Sequence, residues 1–269
     1  MDNHTYGFIG AGNIATSIIK GIITKNICNP HQITVFDIDK NKLINISKLR
    51  VNIVDNPKQL VTKSDYIFLA IKPQNFREVI NEIKDSISEK NTIISIAAGI
   101  TTDYILNNIK NKCPIIRAMP NTPLLLSKGA TAICKTQNVK DEDFYRIYNI
   151  FYSCGTCEII DENKMDYIVS ISGSSPAYIF LMVKAMLEFS ISKNIDNKLA
   201  LNLICQTLEG SAAMLRSSGF TPNELIKMVS SPNGTTIKAL ESLKNNKFYN
   251  SIIFAMEECS NRSKELSKY

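Results

Sequence analysis

The chain has 269 residues, 44% of them hydrophobic and 21% charged, with a formal net charge of +6. That apolar content suits one large or two ordinary domains with proper cores, and the scattered lysines lack the aromatic-interleaved basic stripe of a nucleic-acid binder, so no nucleic-acid partner is expected. The most apolar strand-like runs, YIFLAI (66–71) and IISIAAGI (93–100), fall well short of the ~20 residues of a membrane span, so no membrane association is expected either.

YGFIG (6–10) predicts a short buried strand so close to the N-terminus that no signal or transit peptide is expected. Gly10-Ala11-Gly12-Asn13-Ile14-Ala15 follows it as GxGxxA and opens a helix whose Ile14, Ile18, Ile19, Ile22 and Ile23 mark one apolar face. In that setting Gly10 makes the tight turn, Gly12 lets the backbone approach a pyrophosphate, and Ala15 permits close helix–strand packing. The second strand, ITVFD (33–37), ends in Asp37, placed to accept hydrogen bonds from the adenosine ribose and to repel a 2′-phosphate. No arginine follows to clamp such a phosphate, so NADH is favoured, with NADPH possible.

Further strands are predicted over VNIVD (51–55), DYIFLAIK (65–72), TIISIA (92–97), CPIIRAMP (113–120), ATAICK (130–135) and CEIID (157–161). Helical patterns lie between several of them, over 40–49, 75–87, 102–108 and 142–153. Strands apolar on both faces and alternating with helices predict an α/β, doubly wound sheet of the Rossmann kind. Ala70-Ile71-Lys72-Pro73 and Ala97-Ala98-Gly99 fall at strand ends where small residues let a cofactor lie across the sheet. Lys72 there is either a phosphate contact or a solvated lysine. In Met119-Pro120-Asn121-Thr122-Pro123, Asn121 and Thr122 can face the nicotinamide.

After Asp161 the strands stop, which predicts a dinucleotide-binding domain over 1–161 and an all-helical domain over 162–269. Helices are expected over 165–193, interrupted by SGSSP (172–176), and over 197–217, 222–229, 235–244 and 248–267. This half is too apolar to bury itself, so a homodimer of interlocked helices is expected. Within it, SSPNGTT (230–236) reads either as a linker or as a turn presenting backbone N–H groups at a helix N-terminus to an anion.

The seven cysteines lack framework spacing, which suggests thiols in a reducing compartment and a cytoplasmic protein. Cys154-Gly-Thr-Cys157 forms a CxxC, but it follows a helix and precedes a strand, the reverse of a redox site's order. His4 and His31 each precede an early strand, at the sheet edge opposite a cofactor, so a histidine acid is not expected. No Cys/His spacing suggests a metal. Hydride transfer with little side-chain acid–base help fits a substrate already activated, such as a protonated cyclic imine.

GFIGAGNIA, FLAIKP, SIAAGIT, IIRAMPNTP, SGSSPAY and SSPNGTTI, in that order, resemble the signatures of the pyrroline-5-carboxylate reductases along nearly the whole chain. The resemblance implies NAD(P)H-dependent reduction of the small molecule 1-pyrroline-5-carboxylate to L-proline, the last step of proline synthesis. It implies a Rossmann domain followed by a helical dimerisation domain, a dimer or a pentamer of dimers, and an active site between cofactor cleft and helical domain of the dimer. Carried over by motif, Gly10, Ala11, Gly12, Asn13, Ile14, Asn56, Ala70, Ile71, Lys72, Pro73, Ile96, Ala97 and Ala98 would line the dinucleotide. Ser231, Gly234, Thr235 and Thr236 would hold the substrate carboxylate, with the Thr236 hydroxyl at the ring nitrogen as the catalytic group, and Glu162 would lie close to the substrate.

Two positions depart from the family pattern. Asn233 stands where the family has the first glycine of SPGGTT, and asparagine is the residue best able to replace it at positive φ. Asp37 stands where the family often has Ser/Thr/Pro-rich sequence. The related β-hydroxyacid dehydrogenases place a catalytic lysine four residues after the glycine of a helix like SGSSPAY; here Ala177 holds that place, which disfavours alcohol oxidation. A related imine or 2-hydroxyacid-type reductase and a non-catalytic nicotinamide-sensing dimer are the alternatives.

Overall fold

The computed structural model describes residues 3–266. Its sheet is built from β1 (Tyr6–Ile9), β2 (Ile33–Phe36), β3 (Asn52–Ile53), β4 (Tyr66–Leu69), β5 (Thr92–Ser95), β6 (Ile115–Met119), β7 (Gly129–Lys135) and β8 (Gly155–Ile159). The helices among them are α1 (Asn13–Thr24), α2 (Lys40–Ser47), α3 (Pro57–Thr62), α4 (Phe76–Ile83), α5 (Thr102–Asn108) and α6 (Asp141–Tyr152). The order β3-β2-β1-β4-β5-β6-β7-β8 reverses direction at β1/β4, the crevice where doubly wound folds take a dinucleotide.

Both faces of the strands are covered, and the side chains divide as the two-residue repeat of a strand dictates. On β4, Tyr66 and Phe68 join a core with Ile18, Ile22 and Phe151, whereas Ile67 and Leu69 join a second core with Leu60, Phe76 and Ile80. The Phe8 and Phe68 rings of adjacent strands stack at 4.4 Å. Each such buried side chain contributes on the order of 1.5–3 kcal/mol.

Two features depart from the sequence expectation. β7 runs antiparallel to β6, because the connection between Met119 and Gly129 is shorter than the dozen or so residues a parallel crossover needs. It holds only a 3₁₀ turn, Thr122–Leu126, closed by Ser127 at φ 55°. α3 is an added helix: Pro57 starts it and Asn56 caps it, accepting the Lys58 N–H at 2.7 Å.

The remaining helices are α7 (Met165–Ile168), α8 (Ser175–Ser192), α9 (Asn197–Ser217), α10 (Pro222–Met228), α11 (Thr235–Asn245) and α12 (Phe248–Leu266). Between α7 and α8 the expected interruption is a π turn over Val169–Gly173, with the Ser174 N–H donating to the Val169 carbonyl at 2.7 Å. Gly173 sits against the Met119 methyl; a Cβ there would stand 2.7 Å away. By its contacts the chain forms two units. One holds the sheet, α7 and the last turns of α12; the other is Ala177–Glu257.

The helical unit is locally well specified. Asp196 caps α9 by accepting the Leu199 N–H at 2.8 Å, and Thr221 with Glu224 forms a capping box on α10. Yet Phe180, Leu181, Phe189, Ile191, Leu203 and Leu215 are exposed within the single chain. Contrary to expectation, one helical run among the described residues, Glu162–Ser192, is long and apolar enough by length and composition to cross a membrane.

Candidate active site

The glycine-rich turn closes on the strand ends at the crevice. Gly10 has φ +104°, and a Cβ on it would lie 2.3 Å from the Ala70 carbonyl oxygen, so the turn is pressed onto the end of β4. Its N–H donates to the Phe36 carbonyl at 2.7 Å. Gly12 is different. It is the N-cap of α1 with an ordinary extended backbone (φ −71°), and a Cβ there would meet nothing within 4 Å. Neither conformation nor neighbours demand glycine at this position, and the space over the helix N-terminus is open. No side chain caps α1 and its first turn, which includes Asn13 and Ile14, carries no acidic residue, so its N–H groups and dipole suit a pyrophosphate.

Asp37, just past β2, is tied to this turn. Its Oδ2 accepts the Ala11 N–H at 2.7 Å and its Oδ1 accepts the Asp39 N–H at 2.8 Å. The side chain is 7% exposed, and each oxygen keeps acceptor capacity for a ribose hydroxyl. A cation stands close by: Lys42 Nζ is 3.5 Å from Asp37 Oδ2. It lies on α2, five positions along, and is found by looking for lysine as well as arginine after the second strand.

The other expected cofactor contacts fall into two groups. Ala70, Ile71, Lys72 and Pro73 follow β4 directly, with Lys72 exposed at the start of a 3₁₀ turn; Ile96, Ala97 and Ala98 follow β5. These seven stand at C-terminal strand ends beside the crevice. Asn56 and Asn121 have other work in the fold. Asn56 caps α3, and buried Asn121 donates to the Ser172 carbonyl at 3.0 Å while accepting the Ala130 N–H at 2.8 Å. Its amide therefore ties the turn after β6 to β7 and to the π turn.

Glu162 also has structural partners. Its Oε1 accepts the Thr102 N–H at 2.8 Å and pairs with Arg117 Nη1 at 3.0 Å, and its Oε2 accepts the Thr102 hydroxyl. Arg117 is 2% exposed and also reaches Asp166 at 3.4 Å. The sequence reading missed Arg117 as a determinant; its signal is a lone charge inside the apolar strand CPIIRAMP, which requires buried partners.

His4 and His31 lie before β1 and β2, at the N-terminal strand edge away from the crevice. Cys154 and Cys157 are buried, and burial with the Glu158 charge pushes the Cys157 thiol up to about 12. A neutral buried thiol does not serve as a redox nucleophile. Lys184, the lysine nearest the place of the dehydrogenase base, is exposed and pairs with Glu188 at 3.7 Å.

In the helical unit, Ser231–Gly234 is a turn closed by the Gly234 N–H to the Ser231 carbonyl at 3.0 Å. Asn233 takes φ +58°, the left-handed conformation foreseen for it. Gly234 is the N-cap of α11, and a Cβ on it would lie 2.5 Å from the Ser231 hydroxyl. α11 starts with Thr235 and Thr236 and has no side-chain cap and no acidic residue in its first turn, features compatible with an anion at the helix start.

Residues 162–266 match the family described as pyrroline-5-carboxylate reductase dimerisation, and residues 5–99 match NADP oxidoreductase, coenzyme F420-dependent. The chain is 35% identical to the pyrroline-5-carboxylate reductase of Escherichia coli, covering 97% of this chain and 98% of that protein. It is 34% identical to that of Methanosarcina acetivorans over the full length of both. Among solved structures, the Plasmodium falciparum pyrroline carboxylate reductase with NADP bound has a TM-score of 0.92 at 29% identity and covers 99% of both chains. Two full-length relatives at a third of their residues identical, and the matching dimerisation helices, place this chain in the pyrroline-5-carboxylate reductase family.

Proposed function

We propose that the chain reduces 1-pyrroline-5-carboxylate to L-proline with a nicotinamide dinucleotide, and that NADH is preferred to NADPH. The observation that carries the dinucleotide reading is Gly12, where open space stands over an uncapped helix N-terminus. When bound, the reduced dinucleotide would supply a hydride from nicotinamide C4 to the imine carbon of the pyrroline ring, C2, which becomes C5 of proline. The new C–H bond replaces the C=N π bond, whose electron pair goes to a nitrogen that keeps its proton. The chain's own part is binding and orientation. Gly10, Ala11, Gly12, Asn13 and Ile14 hold the pyrophosphate, Asp37 the adenosine ribose, and Ala70–Pro73 and Ile96–Ala98 the nicotinamide half. Backbone N–H groups from Gly234 to Thr236, with the Ser231 hydroxyl, hold the substrate carboxylate, and the Thr236 hydroxyl orients the ring nitrogen.

NADPH is the second reading of the cofactor, favoured by Lys42 beside Asp37 and by the NADP in the Plasmodium relative. The exposed apolar side chains of the helical unit support a homodimer in which a second copy, not lipid, covers Glu162–Ser192. We place the functional boundary between Asp161 and Glu162, where the dimerisation match begins, and the protein in the cytoplasm, as a dimer or a pentamer of dimers. Purified protein given NADH and 1-pyrroline-5-carboxylate should oxidise the cofactor with stoichiometric proline; no oxidation with either NADH or NADPH overturns the proposal.

A further inference from the structure

We propose that Glu162 is a positioning residue for the nicotinamide side of the cleft, acting on the loop from Ile96 to Thr102 through a polar clamp built on the buried Arg117. The proposal rests on the dinucleotide reading above. With the adenosine ribose at the end of β2, the second half of a doubly wound sheet, β4 to β6, takes the nicotinamide half. The loop leaving β5 is therefore a wall of that half, and three contacts fix it.

At its start, the Ile96 N–H donates to the Leu69 carbonyl at 3.3 Å. In its middle, Gly99 at φ +76° lies against the last turns of α12. A Cβ there would stand 2.6 Å from Leu266 Cβ and 2.8 Å from the Ser263 carbonyl oxygen. At its end, the Thr102 N–H and hydroxyl are both taken by Glu162. Glu162 is in turn held by Arg117, whose Nε has no hydrogen-bond partner, so its polar anchorage runs through Nη1 to Glu162 and Nη2 to Asp166. Asp166 accepts the Ser263 hydroxyl at 2.8 Å, which closes the clamp back onto the α12 turn that Gly99 touches.

The charges explain why the clamp is rigid. Arg117 is 2% exposed, and a guanidinium that deep requires both carboxylates. A Glu162 turned toward a substrate would leave the Arg117 guanidinium with Asp166 alone, at 3.4 Å, and would release the first N–H of α5. A carboxylate facing the substrate carboxylate would also repel it. The clamp thus assigns Glu162 to holding the loop.

The test uses the full-length protein with Glu162→Gln and Ser263→Ala, in each case measuring kcat, both KM values, and the Kd of NADH and of ADP-ribose, which lacks the nicotinamide. The expected result in both variants is ADP-ribose affinity within about twofold of the parent and kcat/KM for NADH at least about tenfold lower, since small misplacements at a reacting centre carry such penalties. Equal loss for NADH and ADP-ribose, or no change in either variant, overturns the proposal. So does a rise confined to the KM of pyrroline-5-carboxylate in Glu162→Gln and absent in Ser263→Ala, which would mean direct substrate contact. If Glu162→Gln does not fold, Ser263→Ala alone decides. A parent protein that binds neither NADH nor NADPH overturns the cleft assignment itself, and this proposal with it.

Discussion

Asp37 accepts the Ala11 N–H at 2.7 Å, so the carboxylate proposed to bind the ribose also holds the glycine-rich turn. Under that proposal, cofactor choice and turn shape are coupled through one carboxylate. Asp37→Asn keeps an acceptor for Ala11 and removes the charge, and should narrow the NADH preference while leaving overall dinucleotide binding intact. Asp37→Ala also removes the acceptor and should weaken both dinucleotides, by about 1.5–3 kcal/mol for a hydrogen bond to a charged group. Steady-state kcat/KM with each cofactor checks this. A parent enzyme preferring NADPH tenfold would show that Lys42, not Asp37, governs the pocket.

The two glycines of the turn should behave oppositely. A Cβ at Gly10 would collide with the Ala70 carbonyl, whereas one at Gly12 has open space. Gly10→Ala should therefore lower the unfolding midpoint, and Gly12→Ala should leave it unchanged while abolishing measurable NADH binding. Thermal melts paired with NADH fluorescence titration separate the two. Unimpaired binding by Gly12→Ala would mean that nothing approaches the N-terminus of α1.

In the substrate turn, Asn233→Gly should be tolerated and Asn233→Ala should destabilise the turn by about 1–2 kcal/mol, because Asn233 sits at φ +58°. The expected readout is a higher KM for pyrroline-5-carboxylate in the alanine variant with the NADH KM unchanged. Thr236→Ala should lower kcat/KM by about 1–3 kcal/mol if its hydroxyl orients the ring nitrogen. Full activity in Thr236→Ala removes that hydroxyl from the mechanism.

Stability should fall in alkali. Burial pushes Cys113, Cys134 and Cys157 from 9.0 up to about 12, aided at Cys134 by Glu162 and at Cys157 by Glu158. Between those values the folded chain keeps protons that the unfolded chain releases, so this stabilisation is complete below pH 9 and is lost as pH rises toward 12. Urea unfolding at intervals from pH 8 to 11 should show a falling midpoint, reduced in Cys157→Ala. A flat profile would show that these thiols ionise alike in both states.

Much of the molecule is determined by its sequence because the controlling physics is local. Short continuous apolar runs placed the parallel strands, and Thr102–Asn108 and Asn197–Ser217 were read to the residue because a cap or an apolar face marks each end. Gly10 and Asn233 were legible because positive φ restricts which residues can stand there. Tertiary structure alone decided the rest. Glu162 and Asn121 carry polar groups suited to a ligand, and nothing nearby in the chain reveals that Arg117, Thr102, Ser172 and Ala130 engage them first. The antiparallel turn of β7 likewise follows from how little chain is available to cross the sheet. A side chain's residue type determines what it can bind, but which partner holds it depends on distant segments brought together when the sheet is formed.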